Sequence, residues 1–293
     1  MTCKINTANL GASFFIEKEA IHPESYHSDM FHRQPLRYNS PMLELTTIEA
    51  IEYLVIGHVT RDENSDSPSL GGTAAYAALT ARALGLRVGI LTSCGGENSF
   101  DALDGIYIIS IPSIPEAWRR TPIIHLGPVA DEVESQLPAG FSPALLGLTP
   151  QGWLRAWDAK GRIGLRKWLQ MEASLNGAGA AVLSLEDVNG DEELIEEMSL
   201  ASRVLVITEG AEGARLYWNN DLRRFPAPSM NEVDPTGAGD IFAAAFFIRL
   251  HSTRDPWEAA RFATQLAAYS VTRRGLAGIP TMEEIQSCQM EVL

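Results

Sequence analysis

The chain has 293 residues, 45% of them hydrophobic and 20% charged, which is enough for one large α/β domain or two small ones. Its formal net charge of -14 argues against a surface that binds nucleic acid or an anionic membrane. The three cysteines, Cys3, Cys94 and Cys288, lie far apart, so they predict neither a disulfide framework nor a metal site and indicate a cytoplasmic location. The longest apolar run, residues 241–248, is too short to span a bilayer, and no signal-peptide pattern is present.

Residues 1–48 differ in composition from the rest of the chain. They contain three histidines and three prolines and have no sustained hydrophobic period. We therefore predict a poorly ordered leader over residues 1–48 and a folded domain over residues 49–293. The alternative is that the leader contributes a strand or arm that packs on the domain.

The folded part begins with a pattern typical of a parallel sheet. Residues 53–59 form a short apolar run that predicts a buried strand, and Asp62 lies just past its carboxyl end, where open α/β sheets bind ligands. Gly71 and Gly72 then precede an alanine-rich helix predicted over residues 73–84. The glycine pair either lets a ligand lie against the backbone or simply forms the turn into the helix. Further strands are predicted at residues 87–92, 106–111, 122–126 and 145–149.

Strands and helices continue to alternate in the second half of the chain. The predicted elements are a strand at 180–185, a helix at 191–201, a strand at 203–208, a hairpin of 214–218 with 222–225, and helices that begin after Asp255 and Thr281. This alternation predicts an α/β fold with helices on both faces of the sheet.

Residues 234–240, Asp-Pro-Thr-Gly-Ala-Gly-Asp, run directly into the apolar segment and read as a loop that enters a buried helix. The first turn of a helix has unpaired N–H groups and the positive end of the helix dipole, and small residues let an anion approach them. A carboxylate at Asp240 could accept a proton from a hydroxyl while these N–H groups neutralise a phosphoryl group. The alternative is a helix start whose acidic residue merely favours the dipole.

Several other catalytic patterns are absent from the sequence. It has no P-loop, no Gly-x-Gly-x-x-Gly after the first strand, no His-Glu-x-x-His and no Gly-x-Ser-x-Gly. His58 and His125 lie next to predicted strands, and we interpret them as core or rim residues rather than catalytic ones.

Three motifs in order resemble those of the ribokinase-like (PfkB-type) carbohydrate kinases. They are Gly71-Gly72 before the alanine-rich helix, residues 208–213 (Thr-Glu-Gly-Ala-Glu-Gly) after a strand, and residues 234–240 before the apolar helix. The resemblance covers about residues 51–278. Within the family, the chain is similar to the compact sugar and inositol kinases. The run Gln-Gly-Trp-Leu-Arg at residues 151–155 strengthens this likeness. The resemblance implies a three-layer α/β/α fold with a mostly parallel central sheet.

The resemblance also implies roles for the residues at the end of the first strand and in the last motif. Asp240 matches the general base that deprotonates the substrate hydroxyl. The residues that match the anion hole for the transferred phosphoryl group are Gly237, Ala238 and Gly239. Asp62 matches the acidic residue that binds substrate hydroxyls.

Two further groups of residues match binding positions of the family. Gly71 and Gly72 match the pair that lines the substrate pocket. The residues that match the nucleotide site are Thr208, Gly210, Gly213 and Thr236. ATP and Mg²⁺ are the implied cofactors, a monovalent cation is a further candidate, and a homodimer is a candidate assembly.

This sequence departs from the family pattern at two places. Many relatives have Asn-x-x-Glu where this chain has Ser184 and Asp187, so no metal ligand is assigned, although Glu186 is an alternative acidic residue. Only eight residues separate Asp62 from Gly71, which predicts a lid that is short or absent. Closure is then expected from loops near residues 95–101 and 151–155 or from a second subunit; Trp153 could form an apolar wall there or belong to the core.

The predicted function is ATP-dependent phosphorylation of a hydroxyl on a small sugar or cyclitol. One alternative is a nucleoside or vitamin-precursor kinase of the same fold. The other is a non-catalytic regulator that binds a nucleotide or sugar, which the altered region at Ser184 and Asp187 favours and an intact Asp240 disfavours.

Overall fold

The computed structural model describes residues 13–17, 49–62, 69–93, 109, 111–158 and 162–290 of the chain. The strands of this part are β1 Ser13–Glu17, β2 Tyr53–Ile56, β3 Thr60–Asp62, β4 Ser69–Gly71, β5 Val88–Ser93, β6 Ile123–Leu126, β7 Leu145–Leu148, β8 Arg155–Trp157, β9 Ile163–Leu165, β10 Ala180–Ser184, β11 Val204–Thr208, β12 Ala214–Trp218 and β13 Asp221–Phe225. The helices are α1 Thr73–Ala83, α2 Gln151–Leu154, α3 Met171–Gly177, α4 Glu192–Ala201, α5 Ala238–Thr253, α6 Pro256–Ser270 and α7 Met282–Met290.

Nine strands form the central sheet, in the order β1-β5-β2-β6-β7-β10-β11-β12-β13. The strands from β1 to β11 run parallel, and the β12–β13 hairpin closes the far edge antiparallel to β11. Because the carboxyl ends of parallel strands meet at one edge, the loops after β2, β7, β10 and β11 all emerge there.

Helices cover both faces of the sheet, because the side chains of each central strand alternate between two apolar clusters. On β2, Tyr53 and Val55 join the cluster that contains α1, α5 and α6. Leu54 and Ile56 join the other cluster, which contains α3 and α4. These observations confirm the predicted three-layer α/β fold with a mostly parallel sheet.

The two long carboxyl-terminal helices follow the sequence signals. Helix α5 is apolar on nearly every side because it is buried between the sheet and its neighbours, with Phe246 and Phe247 fully buried. The Asp255 side chain caps α6 by accepting hydrogen bonds from the N–H groups of Trp257 and Glu258, and Pro256 occupies the first helical position.

Two small antiparallel hairpins stand outside the central sheet. Strands β3 and β4 pair just after β2, where the lid is expected, and each has three residues, so the lid is short as predicted. Strands β8 and β9 pair directly after α2. Neither hairpin was predicted, because strands of three residues are too short to show a period.

Residues 106–111 and part of the predicted leader differ from the main predictions. The strand predicted at residues 106–111 is wrong where it is described: Ile109 makes an isolated bridge to Val133, and Ile111–Ser113 is a 3₁₀ helix. Within the predicted leader, Ser13–Glu17 is a strand parallel to β5, which corresponds to the alternative of a strand that packs on the domain. The rest of residues 1–48 lies outside the described residues.

Candidate active site

Helices α1 and α5 both begin at the carboxyl edge of the sheet, and their first turns are in contact. The Thr73 hydroxyl, at the start of α1, hydrogen-bonds to the Asp240 carboxylate in the first turn of α5. Thr73 is buried and Asp240 is half-buried. Asp240 therefore has a side-chain partner inside the protein while part of its surface stays exposed.

The pKa of Asp240 is raised from its ordinary value of 3.8 to about 6. Burial is the largest cause, and the negative charge of Asp187 acts in the same direction. The hydrogen bond from Thr73 and the positive charge of Arg155 oppose it. At neutral pH the carboxylate is ionised and more basic than an exposed aspartate, which suits a general base.

The two glycines before Asp240, Gly237 and Gly239, have different surroundings. Gly237 has a φ of +80° and caps α5, and a Cβ there would lie 2.3 Å from Cε1 of Tyr76, so no other residue fits. A Cβ on Gly239 would meet nothing within 4 Å, so this residue borders open space beside the first turn. Gly239 thus leaves room for an anion at the helix N-terminus, whereas Gly237 is needed for the turn and for its contact with Tyr76.

Asp234 fixes the loop that carries these glycines. Its carboxylate accepts hydrogen bonds from the N–H of Thr236 at 3.0 Å and from the N–H of Gly275 at 2.8 Å. A hydrogen bond from the Thr236 hydroxyl is the largest cause of a lowered pKa for Asp234, and the two backbone hydrogen bonds add to it. Thr236, predicted to contact the nucleotide, is exposed in this loop.

The residues at the altered family position form a compact polar group after β10. The Asp187 carboxylate accepts hydrogen bonds from the Ser184 N–H at 2.9 Å and from Nε2 of Gln151 at 3.0 Å. Ser184 Oγ accepts one in return from the Asp187 N–H at 3.1 Å. A guanidinium nitrogen of Arg155 lies 3.8 Å from Oδ1 of Asp187. Glu186 is exposed, so Asp187 is the acidic residue that faces the site.

These residues do not form a direct site for the implied Mg²⁺. Among the described residues, no group of three or more His, Cys, Asp or Glu side chains is placed to hold a metal ion. Asp187 already uses its two oxygens for hydrogen bonds to Ser184 and Gln151. A magnesium ion would therefore come with the phosphates of a nucleotide.

The predicted nucleotide residues lie in a tight turn after β11. Gly210 and Gly213 have φ values of +57° and +98°. A Cβ on Gly213 would lie 2.0 Å from the carbonyl oxygen of Phe225, whereas a Cβ on Gly210 would meet nothing within 4 Å. The Thr208 carbonyl accepts a hydrogen bond from the Leu185 N–H at 2.9 Å, which ties this turn to the loop after β10.

A cavity of about 450 Å³ adjoins the same turn, since the segment that packs on Gly213 also forms one of its walls. Its lining residues are Phe225, Pro226, Ala227, Pro228, Arg261, Thr264, Gln265, Tyr269, Ser287 and Cys288. Its size lies within the range of small-molecule and cofactor sites.

The predicted substrate residues lie beside the start of α1. Gly72 has a φ of +83°, and a Cβ there would lie 2.6 Å from the His58 carbonyl oxygen, so the turn requires glycine. Gly71 pairs with Thr60 in the β3–β4 hairpin. Asp62 is the last residue of β3, but its side chain lies outside the described residues, as does the loop at 95–101.

His125 is a core residue, as predicted. Its ring hydrogen-bonds to the Tyr53 hydroxyl at 2.7 Å and to the Thr149 hydroxyl at 2.9 Å, and burial lowers its pKa to about 3. Trp153 is also core: it is buried, stacks on Trp168, and donates from Nε1 to the Val133 carbonyl at 2.7 Å. The alternative in which Trp153 forms a wall of the substrate site is therefore wrong.

Comparison with known proteins agrees with this geometry. Residues 176–282 match the pfkB family of carbohydrate kinases. The matched segment is less than half of the chain. It contains β10, β11, the glycine turn and the start of α5, and therefore most of the candidate site.

The relatives are sugar kinases. A ribokinase of Bacillus subtilis is 38% identical over 92 residues, which are 31% of each chain. A fructokinase of Escherichia coli is 28% identical over 194 residues, 58% of this chain and 62% of the relative. The chain thus spans between about a third and three fifths of the curated relatives that it matches first.

Solved structures show the ribokinase fold over most of the chain. A pyrophosphate-dependent myo-inositol-1 kinase that was converted into a myo-inositol-3 kinase superposes with a TM-score of 0.66, at 17% identity over 81% of this chain and 98% of that one. The Arabidopsis thaliana ribokinase in complex with ribose and ATP gives a TM-score of 0.60, at 14% identity over 83% and 99%.

Sequence reasoning missed two partners of Asp240 in this candidate site. Thr73 directly follows the glycine pair, but its contact with a residue 167 positions later depends on the packing of α1 against α5. Arg155 was noted as the last residue of the run 151–155, with no contact to Asp240 expected.

No helix in the described part of the chain is both long and apolar enough to cross a membrane.

Proposed function

We propose that this protein transfers the γ-phosphoryl group of ATP to a hydroxyl of a small sugar or cyclitol. The observation that carries the proposal is the half-buried Asp240 carboxylate, with a pKa of about 6, in the first turn of α5 beside the open space at Gly239. A proton acceptor and an anion site are thereby adjacent, which is what phosphoryl transfer to an alcohol needs.

In the proposed reaction, Asp240 accepts the proton of the attacking hydroxyl. A bond forms between that oxygen and the γ-phosphorus, the bond from the γ-phosphorus to the bridging oxygen breaks, and ADP leaves. The N–H groups at Gly237 and Gly239 stabilise the negative charge on the phosphoryl oxygens. The N–H of Ala238, the third residue of the predicted anion hole, donates to the Pro235 carbonyl at 3.1 Å. Magnesium bound to the nucleotide phosphates supplies further charge neutralisation.

The acceptor class is supported by the relatives and by the short lid. The relatives include a ribokinase and a fructokinase, and a structural neighbour acts on myo-inositol. The β3–β4 hairpin is too short to cover a large substrate, so a small ring that the pocket itself can bury is favoured. Asp62, Gly71 and Gly72 are proposed to bind its hydroxyls.

ATP is favoured over pyrophosphate as the donor because of the cavity beside Gly213. Pyrophosphate has no base to bury, whereas a nucleoside would fill a space of about 450 Å³ with Phe225 and Tyr269 in its walls. Thr208, Gly210 and Thr236 are proposed to border this donor site. The pyrophosphate-dependent neighbour makes pyrophosphate the donor to test in parallel.

The remaining proposals concern the cellular location, a further cation, the assembly and the alternative functions. A cytoplasmic location is supported by the isolated cysteines, and a monovalent cation and a homodimer stay predictions. The alternative substrates are nucleosides or vitamin precursors, and the alternative class is a non-catalytic regulator.

The test is a panel assay on the full chain with Mg²⁺. ATP and pyrophosphate are each combined with monosaccharides, inositols, nucleosides and hydroxylated vitamin precursors, and phosphorylated product is measured by mass spectrometry. We expect ATP-dependent product with a monosaccharide or inositol. Nucleosides that exceed every sugar and cyclitol would overturn the substrate class, and binding of ATP or sugar without any product would establish the regulator.

A further inference from the structure

We infer that Arg215 is a positioning residue for the phosphoryl donor. It holds the turn at residues 208–213, called the nucleotide turn below, through the side chain of Glu209. The inference rests on the proposed function, in which Thr208 and Gly210 border the donor site. Arg215 lies outside the motifs that resemble the family, two residues past the last glycine of the turn.

Arg215 is a buried positive charge on the central sheet. It is the second residue of β12 and lies opposite Ile207 of β11, and its side chain is only 5% exposed. A buried ion pair loses its hydration, and apolar side chains of similar volume in its place are often as stabilising or more so. Stability alone is therefore a weak reason for an arginine here, and fixing the geometry of its partners is a stronger one.

The Glu209 carboxylate has a positive group beside each of its two oxygens. Nε of Arg215 lies 2.8 Å from Oε1, and Nη1 of Arg224 donates to Oε2 at 3.1 Å. Arg215 and Arg224 lie directly opposite each other on β12 and β13, where two like charges repel. The carboxylate between them offsets this repulsion, so the charges favour one position for the Glu209 side chain.

The Arg215 guanidinium group is held from its other side by α4. Its Nη1 and Nη2 atoms donate to the two carboxylate oxygens of Glu192, at 2.8 and 3.0 Å. Two parallel hydrogen bonds of this kind are the strong form of an arginine–carboxylate pair. Glu192 lies in the first turn of α4, so Arg215 connects this helix to Glu209. Because it is buried between these partners, Arg215 acts on a ligand only through them.

The position of Glu209 determines the course of the nucleotide turn. Glu209 stands between Thr208 and Gly210, and its N–H donates to the Gly213 carbonyl at 2.7 Å. Glycines permit many backbone conformations, and a loop that is held in one of them before its ligand arrives binds at a lower entropic cost. Arg215 therefore prepares the donor site through Glu209.

Two other roles of Arg215 make different predictions. If Arg215 only stabilises the fold, its loss should lower the melting temperature and leave the affinity for ATP unchanged. If it supports the whole site, kcat and the acceptor KM should change together with the affinity for ATP. A positioning residue for the donor should weaken ATP binding alone, and its effect should require Glu209.

The experiment compares wild type with Arg215→Met, Glu209→Gln, the double variant, Arg215→Lys and Arg87→Met. Calorimetry measures the binding of ATP with Mg²⁺, and the ATP-dependent assay gives kcat and the acceptor KM. Arg87→Met is the control, because Arg87 also pairs with a glutamate, Glu52 at 3.2 Å, but precedes β5 at the opposite edge of the sheet.

We expect Arg215→Met and Glu209→Gln each to raise the Kd for ATP by roughly tenfold, about the effect of one lost charge-assisted hydrogen bond. The double variant should lose no more affinity than either single variant, because both changes break the same contact. Arg215→Lys, which keeps the charge, should lose less affinity than Arg215→Met. The values of kcat and the acceptor KM should stay within a few-fold, and Arg87→Met should bind ATP as wild type does.

A folded Arg215→Met protein with the wild-type Kd for ATP would refute the role. Additive losses in the double variant, or a fall in kcat as large as the loss of affinity, would refute it as well. Circular dichroism and the melting temperature establish that each variant is folded. If Arg215→Met does not fold, a wild-type Kd in Glu209→Gln refutes the role. Wild type that binds no ATP would refute the proposed donor itself, and the role of Arg215 with it.

Discussion

Asp240→Asn should make the protein more stable at neutral pH while it removes the general base. Asparagine has nearly the same shape as aspartate, and its side-chain oxygen can still accept the hydrogen bond from Thr73. What it removes is a negative charge that burial and Asp187 make unfavourable in the folded state. A charged group that the fold disfavours lowers stability, and its neutral counterpart restores it.

The magnitude follows from the pKa. The rise from 3.8 to about 6 corresponds to about 3 kcal/mol at 1.36 kcal/mol for each tenfold change. Since the folded pKa is raised, Asp240 costs wild type no stability below pH 3.8, and about 3 kcal/mol of stability is lost as the pH rises through about 6. The variant should therefore gain about 3 kcal/mol over wild type at pH 7.5 and only about 1 kcal/mol at pH 4.5.

Urea unfolding at the two pH values measures this difference directly. Asp234→Asn is the matched control, because the pKa of Asp234 is lowered and its neutral variant should lose stability at pH 7.5. Equal stability of wild type and Asp240→Asn at pH 7.5, or a difference that does not depend on pH, would show that burial does not raise the pKa of Asp240 as described.

Three further predictions concern the surroundings of the base and the donor site. Thr73→Val removes the hydrogen bond that lowers the pKa of Asp240, so the acid limb of kcat/KM should move to higher pH, whereas Thr73→Ser should keep the wild-type profile; identical limbs would contradict the contact. Gly237→Ala should destabilise the protein by at least about 1–3 kcal/mol in thermal unfolding because of its φ of +80° and the close contact with Tyr76, whereas Gly164→Ala, in open space, should be near neutral. Ala227→Trp should fill the cavity and raise the KM for ATP but not for the acceptor; an unchanged KM for ATP would place the base of the nucleotide elsewhere.

The fold could be predicted from local patterns where those patterns are strong. The unbroken apolar run of α5 and the Asp255 cap of α6 gave the correct elements because burial and capping are encoded by neighbours in sequence. The short hairpin β8–β9 could not be predicted, because its strands are held by pairing with each other and β9 is exposed along its length.

Of the candidate site, only the residues within the glycine-containing motifs could be predicted from the sequence. Gly237 is the N-cap of α5 and Asp240 lies in its first turn, so sequence order alone brings them together. Thr73 and Arg155 approach Asp240 through the packing of separate elements, which no pattern in a single sequence reports. The position of Asp187 follows from its contacts with Ser184 and Gln151, and only the first of these is local in sequence.

The turnover number of Asp240→Asn tests the central claim most directly. With ATP and the best acceptor from the panel, kcat should fall by at least the roughly 10²–10⁴-fold typical of general-base catalysis, while the affinity for ATP, measured by calorimetry, stays nearly unchanged. A folded Asp240→Asn protein that keeps near-wild-type turnover would contradict the assignment of Asp240 as the base.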